Sequence, residues 1–128
     1  MEEEFRALLT GSAAVTAIAP AGRINWGAHP QGAALPGIVL NVIADAEGLV
    51  MNGPNGLFEG LVQVDCYGTT FTAAKGLARA VRTLLHAYRG GGFRLITHQG
   101  ARDSRESGSN EATRPYRVSM DFTTAWRA

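Results

Sequence analysis

Apolar and polar positions alternate strictly along two stretches of the chain and recur at helical spacing along a third. Those three stretches set the architecture. From Leu57 to Tyr67, Val62, Val64 and Cys66 share one face while Gln63, Asp65 and Tyr67 share the other, the signature of a half-buried strand. Gly68 breaks that strand, and Thr69 or Thr70 caps the helix that follows. Ala74, Leu77, Ala78, Val81, Leu84, Leu85 and Tyr88 then form one apolar stripe, and Gly90, Gly91 and Gly92 end the helix. In the last strand, Arg114 to Trp126, Tyr116, Val118, Met120, Phe122 and Trp126 alternate with Arg117, Ser119, Asp121 and Thr123.

The remaining elements are weaker. Glu2 to Leu9 reads as a short helix with Phe5, Leu8 and Leu9 on one face. Its three glutamates lie where the helix dipole favours negative charge, and Gly11 stops it. Ser12 caps a second short helix that carries Val15 and Ile18 and ends at Pro20. Arg23 to Trp26 is a short strand, His29 to Pro36 a loop, and Gly37 to Ala44 a β-branched strand. Turn signals at Glu47-Gly48, Asn52-Gly53 and Asn55-Gly56 surround Leu49, Val50 and Met51, where the strand resumes as a projecting hairpin arm. Phe93 to Thr97 is a strand, and Gly100 to Thr113 a polar, mobile loop. The expected fold is α+β in the order α-α-β-β-β-α-β-β, a mostly antiparallel sheet packed against one long helix with short N-terminal helices.

At 128 residues the chain suits one domain, 1–128, large enough for a single core. With 45% hydrophobic and 18% charged residues and a net charge of +1, it reads as globular, with no global pull toward nucleic acid or membrane. The single cysteine, Cys66, excludes an internal disulfide. The acidic start, Met1-Glu2-Glu3-Glu4, is unlike a signal peptide, and no apolar run nears the roughly 20 residues of a bilayer span. These features predict a soluble protein made in the cytoplasm. Eleven of the twelve basic residues are Arg, which suits either bidentate pairing at an interface or a base-composition bias.

No reactive constellation emerges. His29, His86, His98 and Cys66 lack the local pairing that metal sites show, and all three histidines read as solvated. Cys66 reads as core. Asp45, Glu47, Glu59, Asp65, Asp103 and Asp121 read as solvated carboxylates. No cofactor or metal site is expected. Lys75, Arg79, Arg82, His86 and Arg89 do form a basic helix face, with no acid among them. That face suits solvent, a subunit or partner, or DNA phosphates. Trp26 and Trp126 are core-rim residues or interface anchors.

Three features occur in one order: PQGAALPGIVL (Pro30 to Leu40), NGPNGLFEGLVQVDCYGTTFTAAKGLARAVRTLL (Asn52 to Leu85) and RPYRVSMDFTTAW (Arg114 to Trp126). Together they resemble the tail completion, or tail terminator, family of long-tailed bacteriophages, prophages and gene transfer agents. The motifs are structural rather than reactive. The resemblance implies a non-enzymatic particle protein that assembles as a homo-oligomer, a hexameric ring. The ring would cap the tail tube protein, stop polymerisation and join the tail to a head–tail connector or stopper protein at the head–tail junction. DNA would pass through its lumen without sequence-specific binding, and no catalytic residue carries over. The expected interface residues are Leu49, Val50 and Met51 on the arm, Lys75, Arg79 and Arg82 on the helix, and Arg102, Arg105 and Glu106 in the polar loop. Candidate acids on a neighbour are Glu59, Asp65, Glu106 and Glu111. The alternatives are another small adaptor, such as a stopper, or a nucleic-acid-binding module using the basic helix.

Overall fold

The computed structural model describes residues 2–27, 35–50, 53–105 and 116–127, with only the backbone for 46–50, 53–57 and 105. The chain forms a mixed α+β fold around one curled six-stranded sheet. The elements are α1 (Glu2–Thr10), α2 (Ala13–Thr16), a 3-10 turn (Ala21–Arg23), β1 (Ile24–Trp26), β2 (Gly37–Val50), β3 (Gly53–Gly68), α3 (Phe71–Leu85), β4 (Tyr88–Gly90), β5 (Phe93–Arg105) and β6 (Tyr116–Arg127). Spatial order across the sheet is β1-β2-β3-β6-β5-β4. All neighbours are antiparallel except β1 and β2, which run parallel.

The core lies between the sheet and the helices. Ile38, Cys66 and Val118 pair in one row across β2, β3 and β6; Leu40, Val64 and Met120 pair in the next. All six are buried, facing Ala74, Leu77, Ala78, Val81 and Leu85 of α3. Burying such aliphatic side chains stabilises by about 1.5–3 kcal/mol each, so this interface dominates the fold. Thr70 caps α3, its hydroxyl accepting from the Ala73 N–H at 3.1 Å. At the far end of the core, α1 closes the curl. Phe5 touches the rings of both Trp26 and Phe93, and Trp126 packs on Phe93 with centroids 4.7 Å apart. The Arg6 guanidinium ties α1 to the turn before β1 by donating to the carbonyls of Ile24 (2.7 Å) and Ala21 (2.9 Å). Both tryptophans therefore sit at the core rim.

Several expectations are corrected. The long helix ends at Leu85, not at the glycines. His86 has an extended backbone (ψ 126°), and Ala87 enters the left-handed region (φ 63°), where its N–H donates to Ile96 O at 2.7 Å. Tyr88 is thus not part of the helical stripe but opens β4, a sixth strand beyond the five expected. Leu84, expected in that stripe, is only half-buried. The strand expected to end at Thr97 continues to Arg105, pairing with β6 as far as Arg105↔Tyr116, so residues 100–105 are ladder and not loop. The rest of that expected loop, residues 106–113, lies outside the described residues.

The closed ends of the two long hairpins lie at opposite ends of the sheet. β2 and β3 pair out to Val50↔Gly53, whereas β6 accompanies β3 only from Leu57 to Gly68. The last four residues of that arm, Gly53 to Gly56, correspond to about 13 Å of two-stranded ribbon beyond the body at ~3.3 Å per residue. The β5–β6 hairpin points the other way, its last described pair level with Gly68.

Candidate interaction surfaces

The basic face of α3 survives in the structure, with its composition changed. The Lys75 ammonium pairs with Asp103 of β5 at 2.7 Å and lies 5.5 Å from the Phe71 ring centroid, so an acid from outside the stripe neutralises its first cation. The β5 continuation supplies that acid, which is why helical spacing alone did not reveal it. Arg79 and Arg82 are exposed and have no partner among the described residues. Arg89 lies on β4, beyond the helix.

His86 caps α3 at its C-terminal end, and its Nδ1 accepts the His98 backbone N–H at 3.1 Å. His98 is a strand residue, not a solvated loop residue. Its ring packs against Phe122, with centroids 5.3 Å apart, and its Nε2 is buried with no hydrogen-bond partner among the described residues. Burial, and then the neighbouring Arg82 and His86 charges, hold its pKa below the ordinary 6.5. Between α3 and β5 lies a slot of about 160 Å³. Small residues, Ala78 on the helix and Ala101 on the strand, open it down to Val118 and Met120. Lys75, Arg79, Arg82 and His98 form its rim.

Among the described residues the opposite face of the sheet carries no helix, and it holds a polar ladder. Arg102 pairs with Asp121 at 2.7 Å, Gln99 donates to Thr123, and Arg117 donates to Ser104. Asp65, expected in solvent, is only 4% exposed. The Ser119 hydroxyl donates to it at 2.5 Å and the Gln63 amide at 3.0 Å. These hydrogen bonds make burial of its carboxyl tolerable, and they remove it as a candidate acid for a neighbour. Arg102 therefore lies on the other side of the sheet from Lys75, Arg79 and Arg82, so these four, the expected interface residues whose side chains are described, do not share one surface. The Leu49, Val50 and Arg105 side chains, and Met51, Glu106 and Glu111 altogether, lie outside the described residues, as does His29.

Cys66 is fully buried, and burial followed by the Asp65 charge pushes its thiol pKa far up. Among the described residues no group of three or more His, Cys, Asp or Glu side chains could hold a metal ion, and no helix is long and apolar enough to cross a membrane. Sequence reasoning missed two features of this region. One is the Asp103 partner of Lys75; the other is Ile43, which sits at a bulge between Val42 and Ala44 and is 53% exposed. An apolar residue inside an apolar run gives no sign that it will be left exposed.

The profile of the family described as Tail completion protein gp17 matches residues 3–127. The chain belongs to this family. Among solved structures, a chain in the virion of a native gene transfer agent (GTA) particle superposes with a TM-score of 0.63 at 17% identity, covering 97% of this chain and 92% of that one. At that identity the likeness is one of fold. No curated protein matches the chain significantly. Membership makes the protein a structural component of a phage-type tail, working among assembly partners in the particle.

Proposed function

We propose that this tail completion protein is a tail terminator. It assembles as a ring, a hexamer, on the end of the finished tube, stops addition of further tube subunits, and offers its other side to the head–tail connector or stopper. The reading is carried by the family match over nearly the entire chain. The geometry supports it in two ways. The outermost strands, β1 and β4, have no further strand beside them among the described residues, which leaves room for head-to-tail contacts between copies. The β2–β3 and β5–β6 ladders run to opposite ends of the sheet, which suits one contact toward the tube and one toward the head, with Leu49 and Val50 at the first end and Arg105 at the second; Met51 and Glu106, outside the described residues, stay as candidates from the sequence. DNA crosses the lumen without being read.

The alternative of a nucleic-acid module rests on Arg79 and Arg82. Lys75 is already neutralised by Asp103, and the slot beside it admits a side chain rather than a duplex. Phosphate-driven affinity would fall steeply with salt; none is expected at physiological ionic strength.

Deleting the gene and imaging the resulting particles tests the proposal. Overlong tubes and tail-less heads are expected. Tails of normal length joined to heads would exclude termination, and normal-length tails beside heads that leak DNA would indicate a stopper instead.

A further inference from the structure

We propose that the outer face of α3 is a docking site for an acidic segment of a partner protein, which lodges one aliphatic side chain in the α3–β5 slot and sets its carboxylates against Arg79 and Arg82. Two hollows meet on this face. One is the slot, floored by Val118 and Met120. The other, of about 240 Å³, is lined by Arg79, Arg82, Thr83 and His86, all four exposed. Arg79 and Arg82 line both, so a group in either hollow is flanked by the same two arginines.

The chemistry of the second hollow is one-sided. The His86 Nδ1 accepts the His98 backbone N–H, so a neutral His86 ring carries its proton on Nε2 and has only a donor left to offer. Each guanidinium carries five N–H donors and no acceptor, and the Thr83 hydroxyl can turn to donate. Among the described residues no Asp or Glu lines either hollow, and Asp103, the acid that β5 brings to this face, is taken by Lys75. Positive donors with no acid beside them are complementary to an anion.

The slot decides which anion. Val118 and Met120 are each 2% exposed, and Ala78 and Ala101 are too short to fill the space above them. At about 160 Å³ that space matches the ~150 Å³ cavities that accept a benzene-sized apolar group. A phosphodiester backbone brings charge without an aliphatic side chain. A polypeptide brings both, within one or two residues of each other. Exposed ion pairs contribute little by themselves, so the apolar anchor supplies affinity, while the arginines orient the segment and select an acidic one.

This inference stands apart from the ring reading, since it concerns the surface of the single chain. The test is fluorescence titration of the full chain with a dye-labelled peptide, blocked at both ends, in which one leucine is flanked by aspartates. Expected is saturable binding that weakens at least about fivefold when serine replaces the leucine or asparagines replace the aspartates. R82E should weaken the aspartate peptide by a similar factor and leave the asparagine peptide unchanged. A101L, at an exposed position, fills the slot and should erase the advantage of leucine over serine. Circular dichroism confirms that both variants fold. Leucine and serine peptides that bind wild type alike would overturn the anchor. A duplex oligonucleotide binding more tightly than the peptide would assign the face to nucleic acid instead. No saturable binding up to about 1 mM would overturn the docking site, and would leave tube termination, which deletion and imaging test separately, untouched.

Discussion

Leu77→Ala is the sharpest test of where the core lies. Leu77 is fully buried on the face of α3 turned toward the sheet. Truncation removes the equivalent of three methylenes, about 2.4 kcal/mol at ~0.8 kcal/mol each. The surrounding sheet is held by its ladders and cannot collapse fully, so a cavity term of ~24 cal/mol per Å³ adds to this. The total should be about 3–4 kcal/mol, against a whole-domain stability of roughly 6–19 kcal/mol for a chain of this length. In urea, with a slope of about 2 kcal/mol per M, the midpoint should fall by roughly 1.5–2 M. Leu84, two turns along but half-buried, should cost about 1 kcal/mol when truncated, because less of it leaves water. Chemical denaturation followed by circular dichroism measures both. Equal losses from the two variants, or a loss below about 1 kcal/mol at Leu77, would refute the helix orientation.

Three further outcomes are expected. Gly68→Ala places a methyl 2.7 Å from the Ala74 backbone nitrogen and 3.1 Å from its Cα, so it should destabilise by about 1–3 kcal/mol in the same melts even though Ala is the milder residue elsewhere in a strand. Cys66 should react with a thiol reagent only at the rate of global unfolding; rapid labelling of the folded chain at pH 8 would contradict its burial. His98 is depressed in the fold, so the unfolded chain binds its proton first on acidification. The stability tied to its neutral form is present above about pH 6.5 and is lost as pH falls through the lower folded value. Urea midpoints at pH 7.5 and 5.5 should therefore drop more in wild type than in His98→Phe, and parallel losses would show that the ring is not desolvated.

Where one face of an element is buried and the other wet, its period could be read directly from the residues. Val62-Val64-Cys66 and Val118-Met120-Phe122 announce the sheet, and Ala74 to Leu85 announces the helix. Legibility failed where that contrast is missing. Residues Ala101 to Ser104 are exposed on both faces, so the end of β5 has no alternation and is held by pairing with β6 that no local pattern reveals. Tyr88 continues the helical spacing, yet the helix stops because Ala87 adopts a left-handed backbone, a conformation alanine does not advertise. Asp65 falls on the outward face as read, but Gln63 and Ser119 cover it there, and alternation reports direction rather than burial. The candidate surfaces suffered most, because Lys75–Asp103 and the Ile43 bulge arise from contacts between distant parts of the chain.

The opposed hairpins have a consequence for a cyclic ring whose axis runs along the strands. Every copy would turn the Val50–Gly53 end of its β2–β3 ladder to one rim and the Arg105–Tyr116 end of its β5–β6 ladder to the other, so the two rims could never be alike. A washer with distinguishable sides can be threaded in only one sense, and a tube seated on one side meets a different surface on the next.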